Sequence, residues 1–328
     1  MPGRFSTHRI VERQGWLLRA KVVVQLVGLL GAMALASHAQ NSSPAKEVSE
    51  EPDFAFVSGS AYTQGKNSLQ FIHQIAFGTR RFLEPDGARR NEDEFLWFQR
   101  LEYGLTDKWE LDFTLPVGGS RTRRNGRTVT SDYAVADGLV GIRHQFLNEG
   151  KSPLTLAMGP QIIFPSGSVN RATGHGSPGV AWDLAVSKDW RGPMFAYATA
   201  NYHASPAAAD PTPGSTHRFA LQGVNWATAL GIQALEHRRG GSKHDVHLYF
   251  EAGGAWDQQV EPGDVKGERK GRLSCVVSPG VRYGFQTSRK TLVEIGVAAP
   301  VGLGPNGPKR SIAIQFQYEV YFTPPRDH

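Results

Sequence analysis

Cysteine is nearly absent. The 328 residues hold one, Cys275, which cannot close a bridge within the chain, so a disulfide-built scaffold is excluded. Long apolar runs are missing too: a bundle of membrane helices needs several uninterrupted stretches of about 20 apolar residues, and a chain of mean hydropathy -0.36 contains none. No Gly-x-Ser-x-Gly elbow, His-Glu-x-x-His pair or paired-cysteine spacing occurs, which removes the common signatures of serine hydrolases, zinc proteases and thiolate metal sites. The 37 glycines follow no triplet period and hydrophobic residues make up 40%, which excludes collagen-like and wholly disordered chains. What remains is a folded protein.

Positive charge is concentrated at the start. Arg4, Arg9, Arg13, Arg19 and Lys21 precede a mostly apolar stretch from Val22 to Ala36, followed by Ser37-His38-Ala39. A charged head, a short apolar middle and a small-residue end make a secretory signal, and 15 apolar-region residues are short for a spanning helix. We expect residues 1–39 to be a signal peptide cleaved near Ala39, with an uncleaved anchor as the alternative. The segment carries five Lys/Arg and one acid, Glu12, so it accounts for four of the six net positive charges and leaves +2 elsewhere. Without a persistent basic face, nucleic acid is not an expected partner.

Residues 40–66, rich in Ser, Glu, Pro and Gly, read as an irregular periplasmic leader. Beyond them the period is two. Ile312, Ile314, Phe316, Tyr318, Val320 and Phe322 alternate with Ala313, Gln315, Gln317, Glu319 and Tyr321, and Trp109, Leu111, Phe113, Leu115 and Val117 alternate with Glu110, Asp112 and Thr114. Such segments predict twelve strands, near 67–82, 93–105, 108–118, 134–147, 152–164, 178–190, 193–205, 218–235, 244–256, 270–285, 289–300 and 309–322. The linkers alternate between short, as at Thr106-Asp107 and Arg191-Gly192, and long, as at 119–133 and 165–177. An even strand count with short turns at one end and long loops at the other is the pattern of a bacterial outer-membrane barrel, with both termini periplasmic.

A soluble β-sandwich also alternates, and mid-strand ions on one face permit either reading. The aromatics separate the two. Tyr103, Trp109, Phe146, Trp190, Tyr283, Phe285 and Phe322 all fall at strand ends on the short-turn side, one layer, as an interfacial girdle requires. The expected fold is therefore all-β: a transmembrane antiparallel up-and-down β-barrel of about twelve strands over 67–322, with a tail at 323–328.

Glu102-Tyr103-Gly104-Leu105-Thr106-Asp107-Lys108-Trp109, followed by Pro116, resembles the YGLTD hairpin of the outer-membrane proteins linked to the meta-pathway of phenol degradation. Glu51-Pro52-Asp53-Phe54 is similar to that family's leader, Asp137-Gly138-Leu139-Val140-Gly141-Ile142-Arg143 to its next strand, and Phe164-Pro165-Ser166-Gly167-Ser168 to its Pro-[Thr/Ser]-Gly loop. Later strands match in character rather than in words, and Arg143 stands where Lys is the commoner residue. The resemblance implies an outer-membrane transporter or channel for hydrophobic or aromatic compounds, and brings no binding residues with it. Within the hairpin, Gly104 is expected to supply special backbone angles and Asp107 to bond its own turn. Tyr318-x-Val320-x-Phe322 looks like the C-terminal signal read by the barrel-assembly machinery, the expected partner during insertion.

The charged residues at mid-strand are the candidate lumen lining: Arg100, Glu102, Glu110, Asp112, Arg143, Asp183, Glu251, Arg272, Arg282 and Glu294. No cofactor, metal or catalytic residue is assigned. Gly302-Leu303-Gly304-Pro305-Asn306-Gly307 matches a dinucleotide fingerprint in letters only, since a strand follows where a helix is required, and reads as a surface loop. His244 and His247 have opposite strand parity, so with His237 and Glu251 they make no metal site. Arg121, Arg123, Arg124 and Arg127 lie in one loop on the side assigned to the exterior, and Arg80, Arg81, Arg89 and Arg90 flank another. Guanidinium forks match phosphate oxygens, so the first four are candidate lipopolysaccharide contacts, against the plainer reading of a solvated loop face. The functional expectation is a non-enzymatic outer-membrane channel for a small solute, its lumen narrow, gated or partly blocked by the leader. A structural envelope role and an outer-membrane lipid hydrolase are the alternatives.

Overall fold

The computed structural model describes residues 58–83, 86–171, 173–190, 193–210, 215–239, 242–260, 270–288, 291–303 and 310–322. The expected signal peptide, the leader up to residue 57 and the tail 323–328 lie outside the described residues. The β segments are β1 (Ser68–Leu83), β2 (Arg89–Thr106), β3 (Trp109–Arg124), β4 (Arg127–Val135), β5 (Gly138–Leu147), β6 (Thr155–Phe164), β7 (Gly179–Asp189), β8 (Met194–Ala209), β9 (Arg218–Arg239), β10 (Ser242–Val260), β11 (Lys270–Ser288), β12 (Thr291–Ala298), β13 (Val301–Leu303) and β14 (Arg310–Tyr321). β4 runs on into β5 and β12 into β13, so the ring has twelve antiparallel strands.

Each strand pairs with its sequence neighbours, and β1 closes the ring on β14 from Ser68↔Tyr321 to Thr79↔Arg310. Closure is what a bilayer demands of a sheet. An open edge in hydrocarbon would strand a row of N–H and C=O groups at several kcal/mol each.

Facing decides the solvent. Ile162, Val180 and Phe250 are 57%, 59% and 58% exposed, while Glu102, Glu110 and Glu251 are fully buried. A sandwich in water would bury the first set and expose the second. The outer wall is apolar and the interior polar, so the barrel crosses a membrane with its strands. At the short-turn end Trp109 stacks near His144 (4.2 Å between ring centroids), His144 meets Phe146 edge-on at 4.6 Å, and Tyr283 bonds His244 Nδ1 at 2.7 Å, a belt of amphipathic rings.

Two expectations about connections need correction. Residues 119–133 are not a long loop. β3 and β4 continue above the wall as a hairpin around Asn125 (φ 48°) and Gly126 (φ 84°), the left-handed pair that a two-residue turn of the right twist requires. Gly302, taken as loop, lies in β13 and pairs with Val276 of β11; residues 304–309 lie outside the described residues.

Candidate functional site

The lumen is the candidate site, built by alternate residues whose partners on the same strand meet lipid. Six charges converge on its β2–β3–β5–β7 wall. Arg100 Nε lies 2.6 Å from Glu102 Oε1 and its Nη2 2.7 Å from Asp112 Oδ1. Arg143 Nη2 lies 2.8 Å from Glu110 Oε1, and its Nη1 3.9 Å from Asp183 Oδ2. Oxygens of Glu102, Glu110 and Asp112 fall within 4.8 Å of one another, close enough to suggest a cation, but each of these residues also pairs with Arg100 or Arg143. The arrangement is an ion-pair network in which guanidinium forks hold carboxylates that would otherwise repel.

Opposite this network the lumen is filled differently. Phe195, Tyr197 and Tyr249 form a buried cluster, with Phe195 and Tyr249 edge-on at 5.5 Å. Gly231 makes room for it, since a Cβ there would collide with the Phe195 ring. Arg282 lies over the Tyr249 ring at 5.1 Å and bonds Glu294 Oε2 at 2.7 Å. The backbone of Arg272 pairs with Asp257, and its side chain lies outside the described residues.

Residues 58–66 run between these two walls, inside the ring. Ser58 N donates to Glu251 Oε1 at 3.1 Å, Ala61 N to Ser187 Oγ at 2.7 Å and Gln64 N to Glu110 Oε2 at 2.6 Å. Arg143 donates to the carbonyls of Ser60 (3.1 Å) and Tyr62 (3.3 Å). Ala61 is fully buried against Ala157 and Ala185. The described part of the expected periplasmic leader is thus irregular but lies within the barrel, its polar backbone paired by lumen side chains.

That path explains the hairpin. Gly104 does not have a positive φ, contrary to expectation; its missing Cβ admits the Gly65 carbonyl, and Asn67 N bonds Gly104 O at 2.9 Å. Asp107 Oδ1 accepts from Lys66 N at 3.4 Å, while Thr106 Oγ1 serves the turn by accepting from Lys108 N and Trp109 N. Beside this mouth, in the turn after β5, Glu149 accepts from Asp189 N at 2.8 Å and faces Lys188 at 3.9 Å. Burial pushes its carboxyl up to about 7, more than those partners draw it down.

The fold is shared with an outer-membrane channel. The COG4313 outer membrane channel from Pseudomonas putida F1 superposes with a TM-score of 0.51 at 13% identity, covering 80% of this chain and 98% of that one. The β domain of the Bordetella autotransporter Brka gives 0.44 at 10% identity, covering 78% and 100%. At such identities the likeness is one of architecture. No protein-family profile and no curated protein matches the chain.

Farther from the short turns the inward face stays polar, and Arg80 pairs there with Glu94 at 3.1 Å. Asn201 Nδ2 donates to Gln161 Oε1 at 3.1 Å, and inward-facing Asn225 and Leu96 are exposed. His203 Nε2 reaches Asp257 Oδ1 at 3.2 Å across Gly223, where a side chain would intrude on both. Sequence reasoning missed a staple at the outer rim. Asp137 Oδ1 accepts from Gly167 N (2.9 Å) and its Oδ2 from His175 N (2.7 Å), while Ser166 Oγ accepts from Gly138 N and donates to Ala136 O. Two of the quoted motif stretches, around Asp137-Gly138 and Pro165-Ser166-Gly167, therefore meet in space.

The four arginines offered as lipopolysaccharide contacts separate in the structure. Arg124 pairs with Asp86, Arg127 is exposed beside the hairpin tip, and Arg121 and Arg123 converge on Asp93 at 3.5 and 2.5 Å.

Proposed function

We propose that the protein is an outer-membrane channel for a small solute, closed at rest by residues 58–66 at the short-turn mouth. The observation that carries this reading is the way the inner segment is held. Its contacts are mainly backbone hydrogen bonds to side chains of β3, β5, β7 and β10, with Ala61 as a small apolar contact. Hydrogen bonds to charged groups contribute about 1.5–3 kcal/mol each net, so the segment is held by a few separable bonds and can leave without exposing a large apolar core.

The solute enters through the outer half, past Gln161, Asn201 and Asn225, and meets the charged network as a selectivity floor. The resemblance to the phenol meta-pathway proteins supports an aromatic or otherwise hydrophobic small molecule, and the Tyr249 and Phe195 rings beside Arg282 offer surfaces such a solute would slide along once the segment moves. Single-channel conductance in a planar bilayer tests the proposal. Chain 40–328 is expected to be silent or to flicker, and chain 67–328 to give steady steps. Steady steps of equal size from both would show that the segment does not close the pore. Silence from both, with folding verified by heat-modifiable migration, would favour a structural envelope role.

A further inference from the structure

One surface feature is independent of the lumen. On the outward face of β1–β4, near the long-loop rim, Phe77, Phe95 and Tyr133 form an aromatic row, with centroids 5.2 Å apart for Phe77–Phe95 and 6.2 Å for Phe95–Tyr133. Strand pairing aligns them: Ile312↔Phe77, Phe77↔Phe95, Phe95↔Gly119 and Gly119↔Tyr133. Two residues farther out on each strand the same face carries Thr79, Asp93 and Arg121, and two beyond that Arg81, Asn91 and Arg123. The aromatic and arginine rows bound a crevice of about 660 Å³ open to the outside of the barrel.

With Arg80 and Arg81 beside it, its charge is positive on balance. Asp93 holds both Arg121 (3.5 Å) and Arg123 (2.5 Å) by a single oxygen, Oδ2, its other oxygen accepting from Thr79 at 3.2 Å. Arg81 is exposed and forms no ion pair among the described residues. Glu94 also lines the crevice and pairs with Arg80 at 3.1 Å, so four guanidiniums stand by two carboxylates, and the acid between Arg121 and Arg123 is Asp93. The acid aims the two forks without neutralising the patch, and the rings below offer an apolar wall at the depth of acyl chains.

We infer that this crevice is a docking site for the lipid A part of lipopolysaccharide, with a sugar phosphate on Arg121 and Arg123 and an acyl chain across Phe77 and Phe95. The inference rests on the outer-membrane orientation of the barrel, which puts this rim in the outer leaflet, and not on solute passage. A phosphate above acyl chains at one interface is the chemistry that matches arginines above aromatics on one wall. Arg124, counted with the same cluster by sequence, has the opposite strand parity, pairs with Asp86 and takes no part.

The test uses the full mature chain folded in detergent, with bound lipid read by native mass spectrometry and by the shift in its heat-modification midpoint. Wild type is expected to retain diphosphorylated lipid A in preference to phosphatidylglycerol. Arg121→Gln with Arg123→Gln is expected to weaken retention by about tenfold or more, as loss of charge-assisted bonds implies, while Arg124→Gln leaves it unchanged. Equal retention by the double variant, or a wild type that prefers phosphatidylglycerol, overturns the inference. Fully dephosphorylated lipid A offered to wild type provides a second arm that needs no variant to fold: undiminished binding overturns the site, and lost binding supports it. A barrel that binds lipid A yet never conducts sinks only the channel reading.

Discussion

Arg143 is the side chain on which wall and inner segment depend together. It neutralises Glu110 and caps the carbonyls of Ser60 and Tyr62, all in a buried setting. Removing one partner of a buried pair leaves the other uncompensated and costs about 3–5 kcal/mol. Arg143→Met is therefore expected to lower the free energy of unfolding measured in urea by that order and to raise channel-open time, whereas Arg143→Lys, which keeps charge but not the fork, should fall between. An unchanged value would show that the network contributes little. Glu149 gives a prediction in pH. Because burial raises its carboxyl from 4.5 to about 7, the folded chain keeps a proton through that window that the unfolded chain has released. Stability then falls as pH rises from 4.5 to 7, and the penalty, about 3 kcal/mol by the shift alone and less once solvent screens this half-buried group, is complete above it. In Glu149→Gln this slope should flatten, which urea titrations at pH 5 and pH 8 would measure.

At the scale of elements, the β2–β3 hairpin serves the inner segment more than its own turn. Gly104→Val places a side chain where the Gly65 carbonyl lies, while leaving every lumen charge in place. The expected outcome is a folded barrel whose conductance approaches that of chain 67–328. If the variant conducts no better than wild type, the segment does not depend on that contact. The β3–β4 hairpin shows how much of an element can be legible yet missed. Asn125-Gly126 between two runs of alternating Thr and Arg is a strong short-range turn signal, but above the bilayer neither face needs to be apolar, so hydrophobic alternation fades where the hydrogen-bond ladder continues. The same reason hid Val301–Leu303, a three-residue strand whose pairing with β11 depends on register and not on composition.

The whole molecule is an inverted protein, with its apolar surface outside. Phe250 sits near the middle of β10 with 58% of its surface exposed. Phe250→Arg is expected to cost about 2–4 kcal/mol of folding stability in lipid vesicles, whereas on a water-facing surface the same change would be nearly neutral. Reversible folding into vesicles measures the difference, and a neutral result would remove the bilayer from the account of this wall.

Period-two alternation by itself determined that the chain is a sheet, its strand count and the parity of Glu102, Glu110, Asp112, Arg282 and Glu294, because a strand admits only two faces and one of them must be apolar. The ring of aromatics and the alternation of turn lengths chose barrel over sandwich. Tertiary structure alone decided which charges meet. Arg143 could have paired with any acid of its parity, and strand register and tilt, set by contacts summed around the closed ring, brought it to Glu110. It alone also threaded residues 58–66 into the lumen. A segment without periodicity carries no record of its partners, and five of its backbone groups are satisfied by side chains from strands as far as 193 positions away.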